Sequence, residues 1–240
     1  MCPAQSSSPP SAADRVFAAV RDAILSGSLE AGSRHSVYRL AAEHDVSRTP
    51  VREAVLRLAD SGLVSIERNR GFVVRSITTA DVREVFELRL LLEVPAAAWA
   101  AGHLDTQLAD ALRRALADLR DAASSGSVER FEACDRALHA IIDGAPGNGR
   151  LAQEVGELRS SVRARGAVTV DRSRTVEDVL EDHEPIVAAI LAEDPAAAAD
   201  AMRTHLVRTA TLLIDQLSDD PPDVRLWPED VALSQERRAD

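Results

Sequence analysis

The sequence predicts a mainly α-helical protein with two parts: an N-terminal winged helix-turn-helix with a two-stranded wing, then an all-α bundle of about six helices. Aromatic residues make up only 3% of the 240 residues, so the core must consist mainly of Leu, Val, Ile and Ala, which favours helix packing over a β-sandwich. Apolar residues recur with a helical period except between residues 63 and 74, where the pattern becomes β-like. The charge distribution also divides the chain near that stretch.

The charge is unevenly distributed. Residues 1–76 contain ten arginines and eight acidic residues, a net charge of +2, whereas residues 77–240 carry −13 and the whole chain −11. All 28 basic residues are arginine. This asymmetry indicates two units with different partners. An acidic protein can still bind DNA, because phosphate neutralisation requires only a local basic surface.

Residues 1–11 have neither the positive n-region nor the apolar h-region expected of a signal peptide. Residues 1–11 are rich in Ser and Pro and are expected to be disordered, as are residues 218–240, a predicted flexible tail. The longest apolar run, 94–101, is far shorter than the roughly 20 residues of a membrane span. With only Cys2 and Cys134 present, no disulfide framework is expected. We therefore expect a cytoplasmic protein without a membrane partner.

The first unit is predicted to span residues 12–76. Helices are expected at 14–26, 37–44 and 48–61. Strands follow at 63–67 and 71–74, joined by a turn in which Gly71 supplies the unusual backbone angles. Three helices and a hairpin within about 65 residues form the winged-helix plan.

The start of the third helix carries the chemistry of this unit. Ser47 is a good N-cap, whose hydroxyl can accept a hydrogen bond from a backbone N–H, and Pro50 suits the first turn. Arg48, Thr49 and Arg52 then remain near the exposed N-terminal end, where the helix dipole favours a phosphate. Arg48 and Arg52 share a face, and either could form a forked contact with a guanine. The alternative is an ordinary solvated helix face.

The second unit is predicted to span residues 77–217 and to be entirely helical. Gly, Ser and Pro breaks separate the helices, and Pro195 suits the first turn of the last one. The predicted helices cover residues 80–101, 104–124, 127–143, 149–166, 175–193 and 195–217.

Three of the six histidines lie within separate predicted helices of this unit. Asp135 and His139 are four residues apart and therefore point the same way, while His183 and His205 lie on two other helices. Helical bundles build metal sites from facing side chains in this manner. A single mid-helix histidine is, however, more often a hydrogen-bonded core or surface residue, so spacing alone leaves both readings open.

Residues 40–54, LAAEHDVSRTPVREA, together with Leu58, residues 62–64 and residues 69–71, resemble the signature of GntR-type bacterial regulators. The resemblance implies that the start of the third helix and the wing tip contact operator DNA. Some family members carry an arginine at the position of Tyr38, so here Tyr38 or the adjacent Arg39 must provide the contact from the second helix. The implied DNA-binding residues are Tyr38, Arg39, Ser47, Arg48, Thr49, Arg52, Asn69, Arg70 and Gly71.

Residues 89–97, 131–142, the segment after His183, and Met202 with His205 resemble the FCD ligand-binding domain of the FadR subgroup. The resemblance implies a divalent metal ion held by a set of four ligands. Zinc is the first expectation, with nickel, manganese and iron left open. The implied ligands are Asp135, His139, His183 and His205. Arg89 is the candidate for a second contact with a carboxylate effector; the alternative is an ion pair with Glu87 or Glu93.

The two resemblances together imply a metabolite-responsive transcriptional regulator, with repression as the usual outcome in the family. It would bind a near-palindromic operator in double-stranded DNA as a homodimer, and a small carboxylate would change its affinity. One alternative is a metalloenzyme in which Glu181 or Glu184 acts as base. It is disfavoured because no nucleophile motif is present and the DNA-binding unit would be unexplained. Another is a regulator with a purely organic, metal-free pocket.

Overall fold

The computed structural model describes residues 10–67, 70–165, 167–218 and 226–227. The chain divides into two compact units, the first comprising Met1–Ile77 with Arg163–Gly166 and the second comprising Thr78–Val162 with Ala167–Asp240. Each predicted helix begins and ends within two residues of its expected bounds. None of the described helices is long and apolar enough to cross a membrane.

The first unit contains three helices and a small antiparallel sheet. A capping box between Ser11 and Asp14 starts the first helix, where each side chain bonds the backbone N–H of the other residue. The sheet order is β1-β3-β2. The elements are α1 (Ala12–Leu25), β1 (Arg34–His35), α2 (Val37–Glu43), α3 (Arg48–Asp60), β2 (Val64–Glu67) and β3 (Gly71–Val74).

The core of the first unit lies between α1, α3 and the sheet. Phe72 on β3 is 1% exposed and packs among buried aliphatic side chains of the helices. The residues predicted to face the core from α3, namely Val51, Val55 and Leu58, are all buried. Burial of this face leaves the opposite face of α3 exposed.

The predicted hairpin of β2 and β3 is present, and β1 adds to its sheet a third strand that the sequence did not predict. Arg34 pairs with Val73, and His35 with Phe72. A two-residue strand is too short to show the alternation that identifies strands in a sequence. β1 also explains Gly71, which has φ +103° and where a Cβ would collide with the carbonyl oxygen of His35.

The second unit is all-helical among its described residues. Capping boxes at Thr78 and Thr175 start two of its helices, and Pro195 occupies the first turn of the last one. The helices are α4 (Thr79–Gly102), α5 (Thr106–Ser124), α6 (Val128–Gly144), α7 (Gly149–Ala164), α8 (Val176–Leu191) and α9 (Pro195–Leu217).

The core of this unit forms where α4 and α8 pack against α9, and α5 against α6 and α8. It contains large aliphatic side chains such as Leu138, Ile186 and Met202, all fully buried. The same interior also contains buried ionisable side chains, which mark the second candidate site. They are Arg89, Glu93, His139, Asp143, His183 and His205.

Beyond Ser218 the structure describes Leu226 and Trp227, and Trp227 contacts α4. Leu226 is 1% exposed, and the backbone N–H of Trp227 donates to the carboxylate of Glu87 at 3.1 Å. The rest of the predicted tail, residues 219–225 and 228–240, lies outside the described part of the chain.

Candidate nucleic-acid interface and metal centre

The exposed end of α3 presents the side chains that the sequence singled out. Ser47, Arg48, Thr49 and Arg52 are all exposed, at the N-terminal end of the 13-residue helix. Backbone N–H groups in the first turn of a helix point towards this end and favour an anion such as phosphate. The arrangement therefore suits the DNA backbone, with two guanidinium groups available for base edges.

Ser47 does not make the capping hydrogen bond that the sequence predicted. It occupies the N-cap position with extended backbone angles, φ −70° and ψ 166°, but its side chain makes no hydrogen bond to the helix start. The prediction followed residue preference, which fixes the backbone position but not the hydroxyl rotamer. The first-turn N–H groups are therefore not capped by Ser47.

Tyr38 and Arg48 form a contact that the sequence did not predict. Nη1 of Arg48 donates to the phenolic oxygen of Tyr38 at 2.8 Å, and Cζ of Arg48 lies 4.9 Å from the centre of the ring. Tyr38 is 65% exposed. Its neighbour Arg39 instead forms a loose pair with Glu43 on the same helix, at 3.9 Å. The second helix thus acts on Arg48 through Tyr38.

The wing tip is only partly described. Arg70 is exposed and Gly71 is half-buried at the start of β3, whereas Asn69 lies outside the described residues. Arg34 on β1 pairs with Glu67 on β2 at 2.9 Å, linking the two outer strands next to the tip.

The second site brings three predicted histidines together from three helices. His139 on α6, His183 on α8 and His205 on α9 are at most 5% exposed, and one nitrogen from each lies within 4.8 Å of the others. Nε2 of His139 is 3.0 Å from Nε2 of His183. Oδ1 of Asp135 is 2.9 Å from Nε2 of His183 and 3.9 Å from Nε2 of His139.

Hydrogen bonds define the proton positions on two of these rings. Nδ1 of His183 lies 2.7 Å from the carbonyl oxygen of Val179, which can only accept, so Nδ1 carries the proton. Nδ1 of His139 lies 2.9 Å from Oε2 of Glu93 and likewise carries a proton. The second nitrogens of these rings, Nε2 of His139 and Nε2 of His183, face each other and Oδ1 of Asp135.

When both rings are neutral, Nε2 of His139, Nε2 of His183 and Oδ1 of Asp135 present lone pairs to one another, an arrangement that a cation between them would stabilise. Two of the three histidines resist protonation. Burial, reinforced by the nearby Arg159, lowers the pKa of His139 to about 4, and burial together with His183 and His139 lowers the pKa of His205 well below its ordinary value. Nδ1 of His205 is also buried without a hydrogen-bond partner among the described residues. The donor set therefore fits a divalent metal ion.

Charged side chains next to the three histidines form a network of ion pairs and hydrogen bonds with the cluster. Glu93 on α4 is 0% exposed; it accepts from Arg89 at 2.5 Å and faces Nη1 of Arg159 at 3.7 Å. Burial alone would raise the pKa of Glu93, but Arg89, His139 and Arg159 hold it below its ordinary value. A carboxylate behind a ligating histidine fixes the ring and increases its basicity.

Asp135 is held by Arg159 in the same way. Nη2 of Arg159 donates to Oδ2 of Asp135 at 2.5 Å, which leaves Oδ1 directed at the histidines. Burial works against ionisation, but Arg159 and then His183 hold the pKa of Asp135 well below its ordinary value. Asp135 is therefore an anionic ligand candidate, and Arg159, which the sequence reasoning missed, orients it.

The side chain of Arg89 is buried and already has partners within the protein. It forms a buried ion pair with Glu93, one turn along α4, and its Cζ lies 4.5 Å from the ring centre of Phe86. Of the two ion pairs considered from the sequence, the one with Glu93 is present. Contact between Arg89 and an effector stays a prediction.

Two further carboxylates near the cluster were not singled out from the sequence. Asp143 is 2% exposed with Oδ1 unpartnered among the described residues, and burial together with Glu93 raises its pKa to about 8. Asp182 accepts from Arg174 and Arg208, each at 2.5 Å, and lies 3.9 Å from Nδ1 of His205. Neither could be singled out from the sequence, because its position near the cluster results from contacts between helices that are far apart in the chain.

Comparison with known families identifies the two units. Residues 12–74 match the model of bacterial regulatory proteins of the gntR family, and residues 84–208, more than half of the chain, match the FCD domain. The chain belongs to the GntR family of regulators and carries an FCD domain. The resemblance drawn from the sequence motifs is confirmed, as is the fold class apart from the third strand.

Curated relatives of this GntR regulator are themselves named as regulators. A protein of Paenarthrobacter nicotinovorans named for repression of a D-xylose utilization operon is 30% identical over 80% of this chain and 85% of its own length. The transcriptional repressor RspR of Escherichia coli K12 is 26% identical over 80% and 84%. The gluconate operon repressor of Bacillus subtilis is 43% identical, but over only 33% of this chain and 32% of its own.

Solved structures show the same fold. A transcriptional regulator GntR from Rhodococcus sp. RHA1 has a TM-score of 0.68 and 26% identity, covering 85% of this chain and 97% of its own. McbR/YncC of E. coli has a TM-score of 0.68 at 23% identity, covering 87% and 99%. With this family membership the protein is a DNA-binding transcription regulator and not an enzyme, so the metalloenzyme alternative is set aside.

Proposed function

We propose that this GntR regulator represses transcription in the cytoplasm as a homodimer on a near-palindromic operator, and that a small carboxylate metabolite bound in its FCD domain changes operator affinity. The observation that carries the sensing part is the buried cluster of three histidines beside Asp135. Such a cluster is costly unless a ligand stabilises it, and it lies inside the unit that accompanies a DNA-binding domain.

Operator contact would centre on the exposed end of α3. Arg48 and Arg52 would read base edges, while Ser47 and Thr49 would bind phosphate beside the helix start. Arg39, 84% exposed at its side chain, would contribute phosphate neutralisation from α2. At the wing, Asn69, Arg70 and Gly71 would approach a minor groove, where a glycine allows close backbone approach.

In the FCD domain, Asp135, His139, His183 and His205 would hold a divalent ion. Three imidazoles and one carboxylate suit zinc first, with nickel, manganese or iron as alternatives. When bound, the ion supplies a localised positive charge that attracts a carboxylate. Glu93 fixes the His139 ring and Arg159 fixes Asp135, so the chain presents its donor atoms already oriented.

The effector itself would be a small organic acid. The charge of an ion at the cluster, together with the guanidinium groups of the buried Arg89 and the partly buried Arg159, would favour an anion over a neutral molecule. Arg89 would contact it only by sharing its existing bond to Glu93. Since the gluconate repressor of B. subtilis covers a third of the chain, that relative is no guide to the identity of the acid.

Homodimerisation is supported by an apolar stripe along α4. Leu88, Leu91 and Trp99 are 48%, 38% and 38% exposed although large and hydrophobic, and Pro95 between them is also exposed. In an antiparallel pairing of two α4 helices about a twofold axis, Leu88 of each copy would face Trp99 of the other. The same pairing would set the exposed Glu84 opposite the exposed His103, so the stripe is complementary to itself.

The test is selection of DNA by the purified full chain from a randomised duplex library, followed by titration with the enriched duplex. We expect enrichment of a near-palindromic sequence, and Arg52→Ala should lose about 1–3 kcal/mol of binding free energy. Arg113→Ala, which removes an exposed arginine of α5 paired with Asp110, is the matched control and should bind normally. Failure of the wild-type chain to enrich any sequence would contradict operator binding.

A further inference from the structure

The contact between Tyr38 and Arg48 ties the start of α2 to the start of α3. We infer that Tyr38 is a positioning residue for Arg48, holding its guanidinium in the orientation with which Arg48 reads one base pair of the operator. This inference rests on the proposed operator contact by α3. It adds a role for the second helix that does not require Tyr38 to touch DNA.

The backbone of Tyr38 is itself held in place within α2. The side-chain oxygen of Ser36 caps the helix by accepting from the backbone N–H of Tyr38 at 3.2 Å. Leu40 and Ala41 are buried and orient the other face of α2 towards the core. The phenol therefore projects outwards from a fixed backbone.

Arg48 gains most from such a support, because it is the first residue of α3 and is exposed. A long arginine side chain loses rotamer freedom when it binds a base, and this loss is smaller if the guanidinium is already oriented. Tyr38 supplies two restraints on the same group: the 2.8 Å hydrogen bond from Nη1 and the cation–π contact at 4.9 Å.

The geometry also determines which donors remain for DNA. A guanidinium has five N–H donors, and the bond to Tyr38 is made from Nη1. The Nε–Nη2 edge remains as a two-pronged donor for O6 and N7 of a guanine. Tyr38 thus leaves Arg48 one guanidinium edge and one direction from which to approach a base. This restriction should contribute to sequence specificity rather than to general DNA affinity.

The experiment uses the full chain and the duplex that it enriches from a randomised library. Single base-pair substitutions in that duplex are titrated with wild-type protein, Arg48→Ala and Arg52→Ala. The pair whose discrimination disappears in Arg48→Ala is the Arg48 position, and the Arg52 position is defined likewise. Arg52 is the internal control, since it lies on the same face of α3 but one turn further from α2.

Tyr38→Phe should weaken binding of the enriched duplex by about 3- to 10-fold, as expected for the loss of one ordinary, solvent-exposed hydrogen bond. The lost discrimination should fall at the Arg48 position and spare the Arg52 position. Affinity for an unrelated duplex should change less than about twofold, because phosphate contacts dominate there. Tyr38→Leu, which also removes the ring, should show a larger effect at the same base pair.

A double-mutant cycle separates positioning from direct contact. In an Arg48→Ala background, Tyr38→Phe should have almost no further effect on the enriched duplex. Independent, additive losses would overturn the inference, as would a loss spread over all base pairs or no loss at all. If the wild-type chain enriches no sequence, operator binding itself fails. A normal thermal unfolding midpoint for each variant ensures that only folded proteins are compared.

Discussion

Asp143 should make the second unit less stable as the pH rises from 6 to 8. Its carboxyl group is buried and its pKa is raised to about 8, from an ordinary 3.8. Between these values the folded chain holds the proton and the unfolded chain does not. The stabilising contribution is therefore complete below pH 3.8 and is lost as the pH rises towards 8.

The magnitude follows from linkage. Each pH unit within this window changes the free energy of unfolding by up to about 1.4 kcal/mol. Over two units Asp143 should therefore cost up to about 3 kcal/mol, and Asp143→Asn should remove that dependence. Relative to wild type, the variant should gain roughly 5–10 °C in midpoint between pH 6 and pH 8, given about 2–4 °C per kcal/mol for a protein of this size.

The assay is thermal or urea unfolding of metal-free protein, followed by tryptophan fluorescence. Both tryptophans of the chain, Trp99 and Trp227, belong to the second unit, so the signal reports that unit alone. Asp110→Asn is the control, because Asp110 is exposed and pairs with Arg113 on the same helix. A constant difference between Asp143→Asn and wild type at pH 6 and pH 8 would refute the reasoning.

Three further predictions concern the FCD domain. Glu93→Gln should lower the free energy of unfolding in urea by about 3–5 kcal/mol, because it leaves the buried Arg89 without its counter-charge. The control is Glu184→Gln, which breaks the exposed pair with Arg120 and should cost less than about 1 kcal/mol. An equally small cost for Glu93→Gln would contradict the prediction. His183→Ala with His205→Ala should abolish stoichiometric metal in purified protein, measured by plasma mass spectrometry, and equal content would exclude these ligands. Leu91→Glu should shift the protein towards monomer in sedimentation velocity, whereas Leu56→Glu, an exposed change outside α4, should not.

The helices were predictable because their signals are local. Ser, Thr or Asp caps and the apolar period lie within a few neighbouring residues, as at Thr78 and Asp81, and no distant contact is needed to read them. β1 was not predictable, because residues 34 and 35 form a strand only by pairing with β3. This pairing depends on tertiary structure, and two residues are too few to show the alternating pattern of a strand.

The candidate sites divide in the same way. His139, His183 and His205 were found as candidate ligands because histidines are chemically distinctive and match a family pattern, and the fold brings them together. Arg159 was missed because an arginine on a helix surface and one that faces a buried carboxylate look alike in a sequence. The bond between Arg48 and Tyr38 was missed for a related reason: it depends on the angle between α2 and α3, which residue types do not encode.

Helix α4 presents the support of the candidate metal site on one face and the proposed dimer stripe on the opposite face. Glu93 faces inwards and touches His139, while Leu91, two residues earlier, faces outwards on the proposed dimer stripe. Consecutive helical residues are separated by about 100°, so α4 cannot rotate or slide to adjust one face without displacing the other. A small shift of the His139 ring would thus displace α4 and move the proposed dimer stripe. In this way the helix would couple the interior of the sensor to its partner copy.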